Sequence, residues 1–114
     1  MILPSKFKIK DTKRIDKVKN KGRLFQSEGF GLVALKNDDN TSPRFAFVIS
    51  TKISKLAVHR NRINRSLNEG IRRMLSKIPK NYDFVFLAKR NISTKNTEEI
   101  IREVSGFFEK IDFN

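Results

Sequence analysis

The sequence predicts an α+β fold in which helices pack on a mixed four-stranded sheet, in the order α-β-β-β-α-β-α. Apolar residues recur at helical spacing in two long segments, and four shorter β-rich runs lie before and between them. A strand that leads through a helix to another strand favours a parallel pair, whereas a tight turn between two strands implies an antiparallel pair. The sheet should therefore contain both kinds of pair.

The first two predicted elements are strongly basic. Residues 1–10 alternate basic and apolar side chains and are expected to form an extended arm. Residues 11–20 predict a short helix, because Asp11 or Thr12 can serve as N-cap and Gly22 provides a stop signal. This helix has only a thin apolar edge, so it should lie on the surface and either face solvent or border a groove.

Three β-rich runs follow, at residues 24–26, 30–36 and 44–50, and the first of them is short. Residues 37–43, N-D-D-N-T-S-P, are an unambiguous turn signal before the third run and imply an antiparallel pair. Because the third run contains the mostly apolar sequence F-A-F-V-I-S, it should lie centrally in the sheet.

The longest predicted helix spans residues 54–78, with Ser54 as a candidate N-cap and Pro79 just after its end. Its apolar residues recur at i, i+4, i+8, i+11 and i+15, which defines a face directed to the core. Gly70 costs this helix about 1 kcal/mol relative to Ala and permits close packing or a slight bend. The core face comprises Ile63, Leu67, Ile71, Met74 and Ile78.

The opposite side of this helix is cationic. Arginine predominates there, and its planar fork of donors suits phosphate oxygens. Arginines also crowd the first turns, where the helix dipole disfavours positive charge by about 0.3 to 1 kcal/mol each. This locally unfavourable arrangement indicates a polyanionic partner, with solvated charge on an ordinary amphipathic helix as the alternative. The face comprises Arg62, Arg65, Glu69, Arg72 and Arg73, with Arg60 at its start and Asn61 and Asn68 beside it.

The C-terminal part of the chain predicts one strand and one helix. Residues 82–88, Y-D-F-V-F-L-A, form the fourth β-rich run. Asn96 with Glu99 three residues later is the pattern of a capping box at the start of the last helix. The wide apolar stripe of that helix comprises Ile100, Ile101, Val104, Phe107, Phe108 and Ile111.

Composition limits the class of function. The 114 residues suit one domain over residues 1–114 and include 25 Lys and Arg against 12 Asp and Glu, a formal charge of +13. A nucleic acid explains this charge best, and a membrane surface is the competitor. We disfavour the membrane because no apolar run approaches the roughly 18 residues that span a bilayer, and the N-terminus lacks the apolar region of a signal peptide. The lack of cysteine excludes disulfides and thiolate metal sites and fits a reducing cytoplasm.

Side chains for catalysis or metal binding are poorly represented, so we predict no catalytic residue and no metal site in the protein. His59, the single histidine, has no carboxylate at helical spacing to orient it as a base. Asp38 and Asp39 lie in a turn signal, where a solvated loop is the simpler account. Asp11 and Asp16 would face different sides of their helix and make a poor metal pair.

A second cationic block lies near the N-terminus. Aromatic residues do not clearly alternate with it, and most of the ten phenylalanines sit in strand or core-helix positions, although one or two on an open sheet face could stack on bases. The block comprises Lys6, Lys8, Lys10, Lys13, Arg14, Lys17, Lys19, Lys21 and Arg23.

Residues 52–69, K-I-S-K-L-A-V-H-R-N-R-I-N-R-S-L-N-E, resemble the arginine-rich signature of the bacterial ribonuclease P protein subunit. In that signature a Lys is followed a few residues later by Ala and then by R-N-R-x-K-R-x-x-R-E. The strand ending in Ser50-Thr51-Lys52 and the run Y-D-F-V-F-L-A-K at residues 82–89 also occur in the family's order and spacing. The resemblance therefore covers essentially the whole chain.

This resemblance implies an α/β two-layer sandwich with a left-handed β-α-β crossover around the signature helix. It implies a subunit that binds the catalytic RNA of ribonuclease P, the endoribonuclease that removes the 5′ leader from precursor tRNA. The implied partners are that RNA, bound 1:1, and precursor tRNA, with no membrane. The implied cofactor is Mg²⁺ bound mainly by the RNA, which carries the catalysis, so the cytoplasmic protein alone should not cleave.

By the same resemblance, the start of the signature helix contacts the RNA near the active centre, and a groove between the first helix and the sheet takes the single-stranded leader. Together with the rest of the cationic face, the predicted RNA-binding set is Lys52, Lys55, Arg60, Asn61, Arg62, Arg65, Glu69, Arg72 and Arg73. The predicted leader groove is Lys8, Ile15, Lys19, Phe30, Val33 and Lys89.

The chain departs from the family pattern at four of these or neighbouring positions. Asn64 and Asn68 stand where the family commonly has Lys and Arg, which thins the charge on the helix face. Lys19 and Val33 stand at positions of the groove that are often aromatic. The R-N-R core of the signature is intact.

Two other functions compete with this interpretation. A structural RNA-binding protein of the ribosomal type would share the size, the charge and in some cases the fold. A nuclease that acts without RNA is disfavoured by the missing acid/base pair.

Overall fold

The computed structural model describes residues 3–37 and 42–112. Its elements follow the predicted order, with three short 3₁₀ turns in addition at Ser5–Phe7, Leu75–Lys77 and Arg90–Thr94. The main elements are α1 (Thr12–Lys21), β1 (Arg23–Gln26), β2 (Phe30–Lys36), β3 (Arg44–Val48), α2 (Ala57–Met74), β4 (Tyr82–Ala88) and α3 (Thr97–Lys110).

The four strands form one mixed sheet in the spatial order β1-β2-β4-β3. β1 pairs with β2 and β2 pairs with β4 in antiparallel orientation, whereas β3 and β4 are parallel and are joined through α2. The mixed sheet is confirmed. The handedness of the β3-α2-β4 crossover stays a prediction.

The expected place of β3 at the centre of the sheet is wrong, because β4 inserts between β2 and β3 and leaves β3 at the edge. The two strands that flank the turn at residues 37–43 are therefore antiparallel but not paired. The outer edge of β3 meets the N-terminal segment, in which the N–H of Ile9 donates to the carbonyl of Phe45 at 2.9 Å. β3 is apolar although it lies at the edge, because other parts of the chain pack on both of its faces and the N-terminal segment pairs with part of its outer edge.

One face of the sheet is covered by α2 and α3 and contains most of the aromatic core. Four phenylalanines there are fully buried, and their rings are stacked or tilted against one another with centroids 5.1 to 6.5 Å apart. The predicted inner face of α2 is buried at all five positions, through Ile78 just beyond its end. Gly70 permits close packing as expected, since a Cβ on it would lie 2.8 Å from the Cβ of Val104 in α3.

The other face of the sheet is covered in part by α1. Val18 is fully buried there against Val33 and Val85, and Ile15 lies half-buried beside them. This second apolar cluster is smaller and contains no aromatic ring among its buried residues. The thin apolar edge predicted for α1 therefore packs on the sheet, and most of the other residues of the helix, apart from Arg14, are exposed.

A buried carboxylate connects α1 to the sheet on this face. Asp83 in β4 is 0% exposed and accepts hydrogen bonds from Arg14 Nε at 2.5 Å, from Arg44 Nε at 2.9 Å and from Asn37 Nδ2 at 2.9 Å. Burial alone would raise the pKa of Asp83, but these hydrogen bonds and the positive charge of Arg44 outweigh it, and the pKa is lowered. The charged cluster is a structural link between three elements.

The helix ends match the predicted caps at α1 and α3 but not at α2. Asp11 caps α1 by accepting from the N–H of Lys13, and Asn96 forms a complete capping box with Glu99. α2 begins at Ala57 rather than near residue 54, because Ser54 instead bonds within the preceding loop, to the N–H of Leu56. Within the described ranges, no helix combines the length and the apolar character that crossing a bilayer requires.

Candidate nucleic-acid interface

The outer face of α2 presents the predicted cationic residues along one side of the molecule. Asn61, Arg65, Arg72 and Arg73 are exposed, as are two lysines of the preceding loop, Lys52 and Lys55. Arg60, Arg62 and Glu69 are half-buried. The structure therefore brings the predicted RNA-binding set together on α2 and its N-terminal approach.

The arginines at the start of this face do not form ion pairs with carboxylates in the described part of the chain. Arg60 Nη1 donates to the carbonyl of Ser54 at 2.8 Å. Arg62 Nη2 lies 3.0 Å from both the carbonyl of Lys95 and Nε2 of His59. Arg65 has neither a hydrogen bond nor an ion pair within residues 3–37 and 42–112. These contacts orient two guanidinium groups without cancelling their charge.

The C-terminal half of the same face is different. Glu69 accepts from Arg72 Nε at 2.8 Å and Nη2 at 2.5 Å, and from Arg73 Nε at 3.0 Å. The hydrogen bonds from the two guanidinium groups lower the pKa of Glu69 to about 2. Glu69 therefore stays ionised at neutral pH and offsets part of the positive charge of its two neighbours.

Asn68, expected beside the cationic face, is buried instead, with 2% of its surface exposed. Its Oδ1 accepts from the N–H of Leu3 at 3.5 Å, and its Nδ2 donates to the carbonyl and the side-chain oxygen of Asn64, both at 2.7 Å. On the helical wheel it lies next to Asn64, four residues earlier, and its side chain turns toward the N-terminal segment. Its role is to anchor that segment to α2.

Two residues of the predicted leader groove meet in one cleft. Lys8 and Ile15 line an opening of about 290 Å³ beside the edge of β3. The cleft also includes Asn64 on α2, which stands out in the sequence only as a departure from the signature. Asn64 lies four residues before Asn68, and residues at this spacing share one side of a helix. The sequence could therefore have placed Asn64 on the same side of α2 as Asn68.

The other four groove residues are placed differently. Phe30 does not belong to the groove, because it is 0% exposed on the opposite face of the sheet, against Phe86 and Phe107. Its place follows from strand alternation, which sends it and Val33 to opposite faces. Val33 is on the α1 side but only 4% exposed, Lys19 is exposed on α1, and the Nζ of Lys89 donates to the carbonyl of Ser27 at 2.6 Å.

Groups suited to metal binding or acid/base chemistry are scarce among the described residues. No group of three or more His, Asp or Glu side chains there could hold a metal ion together. His59 contacts Arg62 and not a carboxylate. Asp38 and Asp39 lie outside the described residues.

Fold and surface together define a small, strongly basic α+β protein with a cationic helix suited to a polyanion. A family model described as Ribonuclease P matches residues 3–112. The chain is 32% identical over 108 residues to the "Ribonuclease P protein component" of Rippkaea orientalis, covering 91% of this chain and 85% of the relative. It is 34% identical over 71 residues to the protein of the same name from Pelotomaculum thermopropionicum, covering 62% of each.

The fold has a counterpart among solved structures. The RNase P protein of Staphylococcus aureus superimposes with a TM-score of 0.83 at 21% identity, covering 90% of this chain and 93% of the other. The chain belongs to the ribonuclease P protein family and is therefore a protein subunit of that ribonucleoprotein enzyme.

Proposed function

We propose that this subunit binds the catalytic RNA of ribonuclease P through the outer face of α2 and assists Mg²⁺-dependent removal of the 5′ leader from precursor tRNA. The observation that carries the proposal is the state of Arg60, Arg62 and Arg65. They lie together at the start of α2, and within the described chain their guanidinium groups meet carbonyls, an imidazole or solvent rather than a carboxylate. Their charge therefore remains available to phosphates.

The position of these arginines supports a polyanion rather than a structural role. α2 has no acidic residue in its first turn, and the N–H dipoles there disfavour cations. Phosphate oxygens placed at this end of the helix would interact favourably with both the guanidinium groups and the helix N-terminus. RNA binding thus offsets a local cost that folding alone leaves in place.

The single-stranded leader would lie in the groove beside α1. Lys8 supplies a cation and Ile15 an apolar surface in the cleft next to β3, while Lys19 lies exposed on the same helix. Because the half-buried ring of Phe47 lines the same cleft, we infer that base stacking on this ring accompanies the phosphate and aliphatic contacts in the groove.

Magnesium enters the proposal through the RNA. The described residues offer no cluster of three metal ligands, so the cleaving ions would be held mainly by the RNA subunit, which would carry the catalysis. The protein would reduce phosphate repulsion and so lower the Mg²⁺ concentration that the RNA needs. We further propose a 1:1 complex with the RNA in the cytoplasm.

The proposal is tested by cleavage of precursor tRNA by the catalytic RNA at low Mg²⁺, with and without the protein. We expect strong stimulation by the protein, no cleavage by the protein alone, and loss of stimulation in Arg65→Gln. The matched control is Lys110→Gln, an exposed charge on α3 whose neutralisation should leave stimulation unchanged. Absence of stimulation, or preferential binding to ribosomal RNA in direct competition, would contradict the proposal.

A further inference from the structure

A basic cleft lies away from the outer face of α2, at the N-terminal end of α1. It has a volume of about 730 Å³ and is bounded by the N-terminal segment, the first turns of α1, the end of β2 and the start of β3. Seven basic side chains line it, and the lysines among them that come from the arm and from α1 are Lys6, Lys8, Lys10 and Lys17. Most of these residues are absent from the predicted RNA-binding and groove sets.

The cleft keeps an excess of positive charge. Among the described residues, two carboxylates oppose its cations: Asp11, an exposed N-cap on the lining, and Asp83, buried beneath and bonded to Arg14 and Arg44. The lysines around the cleft have no carboxylate partner within the described residues.

The shape of the cleft suits a short length of a single strand. A volume of about 730 Å³ is in the range of a small-molecule pocket, so it can enclose a few phosphates but not a duplex. None of the described residues that line the cleft is aromatic, and the apolar part of this lining is aliphatic, from Ile9 and Leu35. Such a site recognises the phosphate backbone and has little means of distinguishing bases.

The cleft adjoins the smaller cleft beside β3, because Lys8 and Ile9 line both. A strand that passes Asn64 and Lys8 in the smaller cleft is therefore brought to the edge of the basic one. We propose that this basic cleft is a second phosphate-binding site, which holds the backbone of a single RNA strand leaving the groove. Only the identity of that strand as the tRNA leader rests on the function proposed above.

The first test measures binding of a 5′-labelled 12-nucleotide RNA of mixed sequence to the full chain by fluorescence anisotropy at several salt concentrations. The variant Lys6→Gln/Lys10→Gln/Lys17→Gln removes three exposed cleft charges. Its control, Lys77→Gln/Lys80→Gln/Lys110→Gln, removes three exposed charges from other elements. We expect the cleft variant to bind at least about tenfold more weakly, with a log-log salt slope shallower by about 2, since each phosphate contact on a single strand contributes roughly 0.7.

The control should change affinity by less than about threefold, which reflects net charge alone. Equal losses of affinity in the two variants would overturn the proposal, because the effect would then belong to total charge and not to the cleft. Circular dichroism checks that both variants are folded, as expected for side chains that are exposed in the native state.

A second measurement needs no substitution. In the ¹⁵N-labelled wild-type chain, the same RNA should shift the amide resonances of Lys10 and Lys36, which border the cleft. Shifts confined to α2, or shifts at the cleft with inorganic phosphate but not with the RNA, would overturn the proposal. Neither measurement includes the catalytic RNA. If the protein failed to stimulate cleavage, the proposed function would be refuted, but the binding of a single RNA strand in the basic cleft would still be decided by these two measurements.

Discussion

Arginines in two regions of the molecule meet different partners. Arg14 and Arg44 both donate to the buried carboxylate of Asp83, whereas Arg60 and Arg62 donate to backbone carbonyls. A carboxylate cancels positive charge, but a carbonyl only orients it. The same side chain therefore stabilises the fold in one region and, in the other, is held in place with its charge available to a partner.

The same contrast recurs within α2. Arg72 and Arg73 share Glu69 at the C-terminal end of the outer face, while Arg65, one turn before Glu69, has no such partner in the described chain. Counting arginines along the helix therefore overstates the charge that faces a polyanion. The partners decide which of them remain available.

The largest effect that separates the two kinds of arginine is expected from Asp83→Asn. Removing the carboxylate leaves Arg14 and Arg44 facing each other across a buried site, which should cost about 3 to 5 kcal/mol of unfolding free energy. Urea unfolding followed by circular dichroism measures it. Asp16→Asn, on the exposed side of α1, is the matched control and should change stability by less than about 0.5 kcal/mol. Equal stability of the two variants would mean that the cluster is not structural.

A smaller effect, on binding rather than folding, separates the two halves of α2. Arg62→Gln/Arg65→Gln should weaken binding to the ribonuclease P RNA and reduce the log-log salt slope by about 1 for each phosphate that the variant no longer binds, with folding largely intact. Arg72→Gln/Arg73→Gln removes the same charge from residues that share Glu69, and its effect should be clearly smaller. Filter binding at several salt concentrations measures the affinity and the salt slope of both variants. Equal losses in the two would show that sharing Glu69 does not reduce the contribution of Arg72 and Arg73 to RNA binding.

The smallest effect concerns pH. The pKa of Asp83 is lowered in the folded state, so its contribution to stability is complete above the unfolded value of about 3.9 and is lost as the pH falls through the folded pKa. The unfolding free energy should therefore be nearly constant from pH 7 to 5 and decline below pH 4. Asp83→Asn should lack this part of the decline, while Glu69→Gln on the surface should retain it. An unchanged acid profile in Asp83→Asn would assign the acid sensitivity elsewhere.

Periodicity is a sufficient guide to the elements and to the inner face of α2. All five predicted core positions of that helix are buried, because a helix with one apolar side has one way to pack on a sheet. The capping box of α3 likewise depends only on residues within four positions of one another. Local signals of this kind are readable before any tertiary contact is known.

The wrong predictions share a dependence on pairing between distant segments. The edge position of β3 follows from the insertion of β4, which lies more than thirty residues later in the chain. The predicted groove includes Phe30 although strand alternation sends it and Val33 to opposite faces, and the pattern alone does not say which face α1 covers. Asn68 is buried because the N-terminal segment reaches it, a contact across 65 residues.

The contact between Ile9 and Phe45 has a consequence for handling the protein. β3 is an edge strand that carries Phe45 and Phe47, and an uncovered edge of this composition is a template for association with another copy through main-chain pairing. Residues 8 and 9 occupy part of that edge and so hinder its pairing with a β-strand of another copy. Shortening the chain past them would therefore be expected to favour aggregation before it affected any contact with RNA.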